Sequence, residues 1–373
     1  MKFIVSREAL LKPLALVAGV AEKRHTLPIL SQILITLKNQ TCILTGTDSE
    51  VELTARLALE HATEDGCFTA PARKLLDICR ALPEGNDIEF THENQRLTVK
   101  SGKARFNLST LPAHEFPHIE TTEADQQIQV NAAQLQALFK QTHFAMALQD
   151  VRYFLNGALF ELSQSGEIKV VATDGHRLAL SQHLSTTSNL SEGTPSIQSI
   201  IPRKAVMEIL RLFQEGDETL TLHLAKQFFK ITSADYTLIT KLIDGRYPDY
   251  RKVIPRPSEK FLTTDREQLQ QALNCIAVVT SEKYRGARVQ ICPQTLKLVT
   301  KNPEQEEAEQ EVAIHEQTAD NLEIGFNVSY LLEALNAIDH THVKITFSDA
   351  DNGIILESTE GKGGRYVVMP MRL

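Results

Sequence analysis

The chain has 373 residues, enough for two or three domains at roughly 100–200 residues each, and its 42% apolar and 23% charged residues are those of a globular protein, not a disordered one. No run approaches the ~20 uncharged apolar residues of a membrane-spanning helix. A net charge of −8 argues against gripping nucleic acid through an overall positive field, although a positive surface confined to one face stays open.

Arg7, Lys12 and Pro13 interrupt the apolar opening where a secretion signal would need its uncharged centre, so this segment reads as mature cytoplasmic sequence carrying a first helix. Cys42–Leu57 is an apolar strand broken by a turn at Asp48, and a helix follows in PARKLLDICRAL from Pro71. The polar, proline-bearing stretch Leu111–Gln127 closes the first unit. Asn131 is a candidate N-cap, followed by Leu135, Leu138, Phe139 and Thr142 at helical spacing. Strands are expected at Leu155–Leu162 and Ile168–Ala172, with a Ser/Thr-rich surface loop over Ser181–Ser199. A helix over Arg203–Phe213 and strands at Thr219–Leu224, Phe228–Ser233 and Tyr236–Leu242 complete the second unit, which Asp244–Lys260 closes. A last helix is expected over Ser329–Ile338.

These elements repeat. Asp48, Asp174 and Asn302 each follow an apolar strand, at intervals of 126 and 128 residues. Lys74, Lys204 and Tyr330 mark equivalent helices, at intervals of 130 and 126. Two markers with one period give three units: 1–125, 126–253 and 254–373. Two helices and several mostly antiparallel strands in each make an α+β architecture. The five cysteines (Cys42, Cys67, Cys79, Cys275, Cys292) are scattered without a CxxC pair. They indicate neither a disulfide framework nor a metal site, and are expected as reduced, buried small hydrophobes.

Net charges of the three units are −3, +1 and −6. Arg73 and Arg80, with Lys74, lie on one helix seven residues apart, and Arg203, Lys204 and Arg211 repeat the arrangement. One such helix would be a solvated face; two in equivalent places suggest a shared positive surface. At TDGHR, Asp174 and Gly175 are turn residues with counterparts in the other units. His176 and Arg177 have no counterparts and are the better functional candidates. A hydrolase using Asp174 and His176 is the competing reading, but no nucleophile motif or metal cluster accompanies it.

TDGHRLAL (Thr173–Leu180), DGRYPDYRKVIP (Asp244–Pro255), NPEQEEAE (Asn302–Glu309), GFNVSYLLEALNA (Gly325–Ala337) and YVVMPMRL (Tyr366–Leu373) closely resemble the bacterial sliding-clamp family, the β subunits of DNA polymerase III. The opening MKFIVSREALLKPL and TLPIL (Thr26–Leu30) resemble it too, and the likeness runs from end to end. The resemblance implies a DNA clamp fold: a head-to-tail homodimer, six similar domains in a ring, helices lining the hole and sheets outside. Such a ring would encircle duplex DNA without reading sequence and tether the replicative polymerase, the clamp loader, repair polymerases and other partners, with no catalysis, no cofactor and no membrane. A peptide-binding scaffold that never meets DNA is a further alternative.

By match to the family, the peptide groove comprises Arg152, Leu155, Thr173, Gly175, His176, Arg177, Leu178, Pro248, Val253, Asn327, Tyr330, Val367, Val368, Met369, Pro370, Met371 and Arg372. Val367 and Val368 are expected to complete the last edge strand of the third unit, Pro370 to stop it, and the two thioethers to suit a promiscuous apolar site. Asp351 and Gly353 stand where the family offers further contacts. Arg24, Arg73, Gln149, Tyr153, Arg203 and Lys204 are the implied DNA contacts. At the implied dimer interface, Lys74, Arg96, Lys103 and Arg105 with Phe106 and Leu108 would meet Glu304, Glu306 and Glu307 with Val278 and Val279 of a second copy; Gln310 stands where an acid is common.

Overall fold

The computed structural model describes every residue except 22–26, 60, 63, 185–195, 215, 257, 281–284, 319–321, 362 and 373. Among the described residues the chain runs three times through strand, helix, four strands, helix, three strands, with one extra two-residue strand, His61–Ala62, in the first pass. The helices are α1 (Arg7–Val20), α2 (Ala72–Ala81), α3 (Ala132–Lys140), α4 (Arg203–Leu212), α5 (Arg266–Ala277) and α6 (Val328–Ala337). Among the described residues, no helix is long and apolar enough to cross a membrane.

Local sequence accounts for where the helices begin. Ser6, Asn131, Asp265 and Asn327 each offer a side-chain oxygen to a backbone N–H of the first turn, at 3.2, 2.9, 2.8 and 2.9 Å, which satisfies donors that have no partner inside the helix. Each helix then buries one stripe: Ala72, Leu75, Leu76 and Cys79 on α2, and Ala205, Val206, Ile209 and Leu212 on α4. The expected strand from Leu155 begins instead at Gly157, because Leu155 closes a 3-10 turn over Tyr153–Leu155 and donates to the Arg152 carbonyl. The expected loop over Ser181–Ser199 is shorter at both ends, where strands Arg177–Leu184 and Ile197–Pro202 pair with neighbours; residues 185–195 lie outside those described. Of the cysteines, Cys42 and Cys79 are buried, and burial pushes each thiol up to about 12. Cys67 and Cys275 are exposed, contrary to the expectation, since they occupy outward positions of their strand and helix.

The repeats do not end where their sheets end. Strand Val51–Ala58, which follows the Asp48 turn, pairs with Tyr236–Lys241, the last strand of the second repeat. Strand Arg177–Leu184, which follows the Asp174 turn, pairs with Arg365–Val368, the last strand of the third. Arg365–Val368 therefore lies between two neighbours, the other being Ile354–Ser358, and is not the edge strand expected from its terminal position. Its unpaired edge is satisfied by the preceding repeat. The chain accordingly forms two compact units that cut across the repeats: Met1–Ala133 with Met207–Leu242, and Gln134–Val206 with Ile243–Leu373.

Candidate functional site

The Asp174 turn is built by its own side chains. Asp174 Oδ1 accepts from the backbone N–H of His176 and Arg177 at 2.9 and 3.1 Å, while Thr173 Oγ1 donates to the Arg177 carbonyl and accepts from Gly175 N–H. Gly175 takes φ +90°, which a side chain would strain. The Asp48 turn has the same four bonds, from Thr47 and Asp48 to Ser49, Glu50 and Val51. The Asn302 turn is longer: Asn302 Oδ1 receives Glu306 N–H, four residues on.

What the second repeat adds is Arg177. Its side chain is 10% exposed and its guanidinium meets Asp174 Oδ2 at 3.2 Å, the Glu333 carboxylate of α6, and the Phe144 carbonyl at 2.8 Å. It lies over the rings of Tyr330 and Phe144, 4.4 and 5.4 Å from their centroids. Burial pulls its pKa down and Asp174 counters. The His176 ring is exposed and stacks on Tyr330, with centroids 6.4 Å apart.

Around this turn the structure gathers the rest of the predicted groove. Leu155, Leu178 and Val367 belong to one buried apolar cluster with Ala147, Leu159, Val171, Ile200, Tyr247, Tyr250 and Ile355, and Met369 packs on its margin. Thr173 and Val368 are also buried, so these side chains form a floor. Above it stand the accessible ones: His176, Gly175, Pro248, Arg152 and Arg372 exposed, Val253 and Met371 at 43% and 38%, and Tyr330, Met369, Pro370 and Asn327 half-buried. Asn327 caps α6, which fixes the turn of helix carrying Tyr330. The tail is held by backbone: Met369 N–H donates to the His176 carbonyl and Met371 N–H to that of Gly325. Gly353 leaves room for Met369, whose sulfur would lie 3.0 Å from a Cβ there; Asp351 is turned to solvent, its N–H given to Asp349.

Arg152 reaches the same turn from another side. It forks onto Asp150 at 3.0 and 2.8 Å and donates to the Asp174 carbonyl at 3.1 Å. Hydrogen bonding to Arg152 holds the Asp150 carboxyl down at about 2. Asn156 braces the loop by exchanging hydrogen bonds with the Asp150 backbone. Leu148, Gln149, Val151 and Tyr153 are presented outward on it, with Gln149 at φ +55°.

The sequence singled out Arg177 and Thr173 but not the partners that fix them, Phe144 and Glu333 on Arg177 and Tyr247 on Thr173. Tyr247 accepts from Thr173 N–H at 3.1 Å, and burial pushes its phenol up. Phe144 acts partly through a backbone carbonyl, for which no side-chain pattern exists. As for hydrolysis, among the described residues no hydrogen bond joins the Asp174 carboxylate to the His176 ring, and no group of three metal-ligating side chains occurs. Asp174 is committed to the turn and to Arg177.

The other predicted residues are distributed as follows. On α2, Arg73, Lys74 and Arg80 are exposed, Arg73 pairing with Asp77 at 3.3 Å. On α4 the positive face is less free than its sequence suggested: Arg203 donates to the His143 and Met146 carbonyls, and Arg211 is taken by Glu208 and the Leu16 carbonyl; Lys204 is half-buried. Arg24 lies outside the described residues. Lys103, Arg105, Phe106 and Leu108 lie in or beside strand Ala104–Ser109, the outer strand of a five-stranded sheet, with the two apolar side chains half-buried and Arg96 exposed on its neighbour. Glu304, Glu306 and Glu307 are exposed at the start of strand Glu307–Gln317; Gln310 is exposed along it, Val278 is 84% exposed after α5, and Val279 is half-buried.

Profiles of the DNA polymerase III beta subunit match along the whole chain: the N-terminal domain over residues 1–120, the central domain over 129–249 and the C-terminal domain over 251–372. The chain is 46% identical over 376 residues to the beta sliding clamp of Pseudomonas aeruginosa and 43% identical over 373 residues to that of Escherichia coli (strain K12), with 100% of each chain covered. A crystal structure of a DnaN sliding clamp from Pseudomonas aeruginosa bound to griselimycin superposes with a TM-score of 0.95 at 46% identity, again covering both chains in full.

Proposed function

The chain belongs to the DNA polymerase III β-subunit family, the sliding clamps, which are processivity factors and not enzymes, and we propose that it works in the cytoplasm as a head-to-tail homodimeric ring around duplex DNA. One observation carries the ring. Twice the strand after the Asp turn recruits the last strand of the following repeat. The third such strand is Glu307–Gln317: among the described residues, 307–313 pair only with Thr295–Lys301, and strand Phe261–Asp265 joins the other edge from Ile314 onward. The last strand of the first repeat, Ala104–Ser109, likewise pairs, among the described residues, only with Arg96–Ser101. A second copy brings these two open edges together by the rule the chain already uses twice.

Their chemistry is complementary. Lys103, Arg105 and Arg96, with nearby Lys74, face Glu304, Glu306 and Glu307, while Phe106 and Leu108 pack on Val278 and Val279. The contact joins unlike surfaces, and two copies close it into a ring. Duplex DNA then passes through the hole, touched by Arg24, Arg73, Gln149, Tyr153, Arg203 and Lys204. The contacts must be few, since each neutralised phosphate strengthens binding and slows sliding. The groove between the second and third repeats captures apolar peptide motifs of the replicative polymerase, the clamp loader and repair polymerases, raising their effective concentration at the primer end. The apolar floor and the unbranched, adaptable thioethers Met369 and Met371 support this reading, and a solved relative with griselimycin bound supports ligand capture by this fold.

Sedimentation tests the ring. The wild type should have twice the 41.7 kDa chain mass, and Phe106→Ala with Leu108→Ala should have the chain mass alone; an unchanged sedimentation coefficient would refute the interface. Once loaded, the protein should be retained on nicked circular DNA and slide off linear ends, and equal retention on both would count against encirclement.

A further inference from the structure

We infer that His315 and His342 form a two-imidazole seat for a borderline divalent transition-metal ion, of the class of Zn²⁺, Ni²⁺ or Cu²⁺, on the solvent face of the third repeat. The two rings meet edge to face with centroids 5.0 Å apart, although their strands are not neighbours. His342 opens strand His342–Thr346 and His315 lies on Glu307–Gln317, with Phe261–Asp265 between them. Adjacent strands lie about 4.8 Å apart, so the two side chains lean towards each other over the middle one.

A bulge aims one of them. Thr263 faces Glu316 and Thr264 faces Ile314, which leaves His315 as the extra residue of its strand. His315 and Glu316 are consequently both exposed, whereas regular alternation would turn one of them inward. A hydroxyl orients the other ring: Thr341 Oγ1 lies 3.2 Å from His342 Nδ1. With Nδ1–H donating to that oxygen, the Nε2 lone pair is the one left for a metal. Imidazole nitrogen selects borderline ions over Mg²⁺ and Ca²⁺, which require oxygen. Glu316 and Asp265 add negative charge to the same face, Asp265 standing directly opposite His342 in the register. Lys344 is the cation there, and its ammonium lies over the Phe261 ring, 4.5 Å from the centroid. Among the described residues no third metal-ligating side chain joins the pair, so water completes the coordination. A bound ion ties the two outer strands together across the middle one, where the bulge interrupts their ladder.

Calorimetry on the full chain, free of any histidine tag and stripped with chelator, tests this with Zn²⁺ as the titrated ion and thermal melting recorded for each variant. The wild type should take up one Zn²⁺ per chain and melt higher with it. His315→Ala and His342→Ala should each lower the affinity by at least about tenfold and abolish the rise in melting temperature. Without metal both should melt close to the wild type, since neither side chain is buried. The double variant should bind no worse than either single one, because a chelate is lost with its first arm. Thr341→Val should cost about threefold. His114→Ala, which removes an exposed histidine of the first repeat, should leave Zn²⁺ binding unchanged. No uptake of Zn²⁺ or Cu²⁺ by the wild type would overturn the inference, and so would undiminished uptake by both alanine variants, which would place the ion at other histidines. Equally tight Mg²⁺ binding would mean oxygen ligation, and one ion per two chains would mean a seat shared between copies; either result overturns it as well.

Discussion

The two junctions between repeats share a backbone plan and differ in what they carry. At the first, Lys241 N–H donates to the Glu50 carbonyl at 2.9 Å; at the second, Met369 N–H donates to the His176 carbonyl, also at 2.9 Å. Each follows a turn with the same Asp and Thr hydrogen bonds. The chain leaves the first junction with Leu242 bonded to Gln227, whereas beyond the second it runs on through Pro370 and Met371 to Gly325. Val51 is fully buried where Arg177 gathers its partners. The turn is thus scaffold, and what sets the second copy apart is a few side chains and a tail laid on it.

Removing the tail should break that difference most completely. Deleting residues 369–373 should abolish griselimycin binding by calorimetry and leave the dimer mass unchanged; loss of the dimer would mean that the tail serves assembly instead. Next in size, Asp174→Ala and Asp48→Ala should each lower stability in denaturant by about 1–2 kcal/mol, since each leaves two backbone donors without their acceptor. Only Asp174→Ala should also weaken griselimycin, because it releases one arm of Arg177. Equal effects on binding would show that the two turns are not functionally distinct.

A smaller effect is expected at the residue between. Gly175→Ala, at φ +90° and with a Cβ 3.1 Å from an Arg152 nitrogen, should destabilise by about 1 kcal/mol. Ser49→Gly, at φ +76°, should change stability by less than about 0.5 kcal/mol, because relieved strain is offset by a freer unfolded chain. The smallest effect concerns pH. The Asp150 carboxyl is depressed to about 2, below its unfolded value of about 3.9, so its brace to Arg152 is complete above the unfolded value and lost as pH falls through the folded one. NMR titration of Asp150 should give a midpoint near 2; a midpoint near 4 would mean that the brace is absent in solution.

Much of this was legible in the chain itself. Asp48 and Asp174 announced their turns because an Asx turn is made by one side chain and the N–H groups two and three residues on, all within reach of local pattern. Asn131 announced its helix for the same reason. Arg203 and Arg211 misled as a simple positive face, since the carbonyls and the carboxylate that occupy them follow no charge pattern.

Sequence alone therefore determined the threefold repeat, the turns, the helix caps, the apolar stripes and the two side chains, His176 and Arg177, that set one turn apart. Only the tertiary structure decided which strands meet. Arg365–Val368 looks terminal and free by its position, yet it pairs with a strand nearly two hundred residues earlier, and Arg177 finds Glu333 across 156 residues. Alternating apolar residues tell a strand which face to bury and say nothing about which backbone edge will lie beside it. That choice is made when whole sheets assemble and every open row of amides seeks a partner.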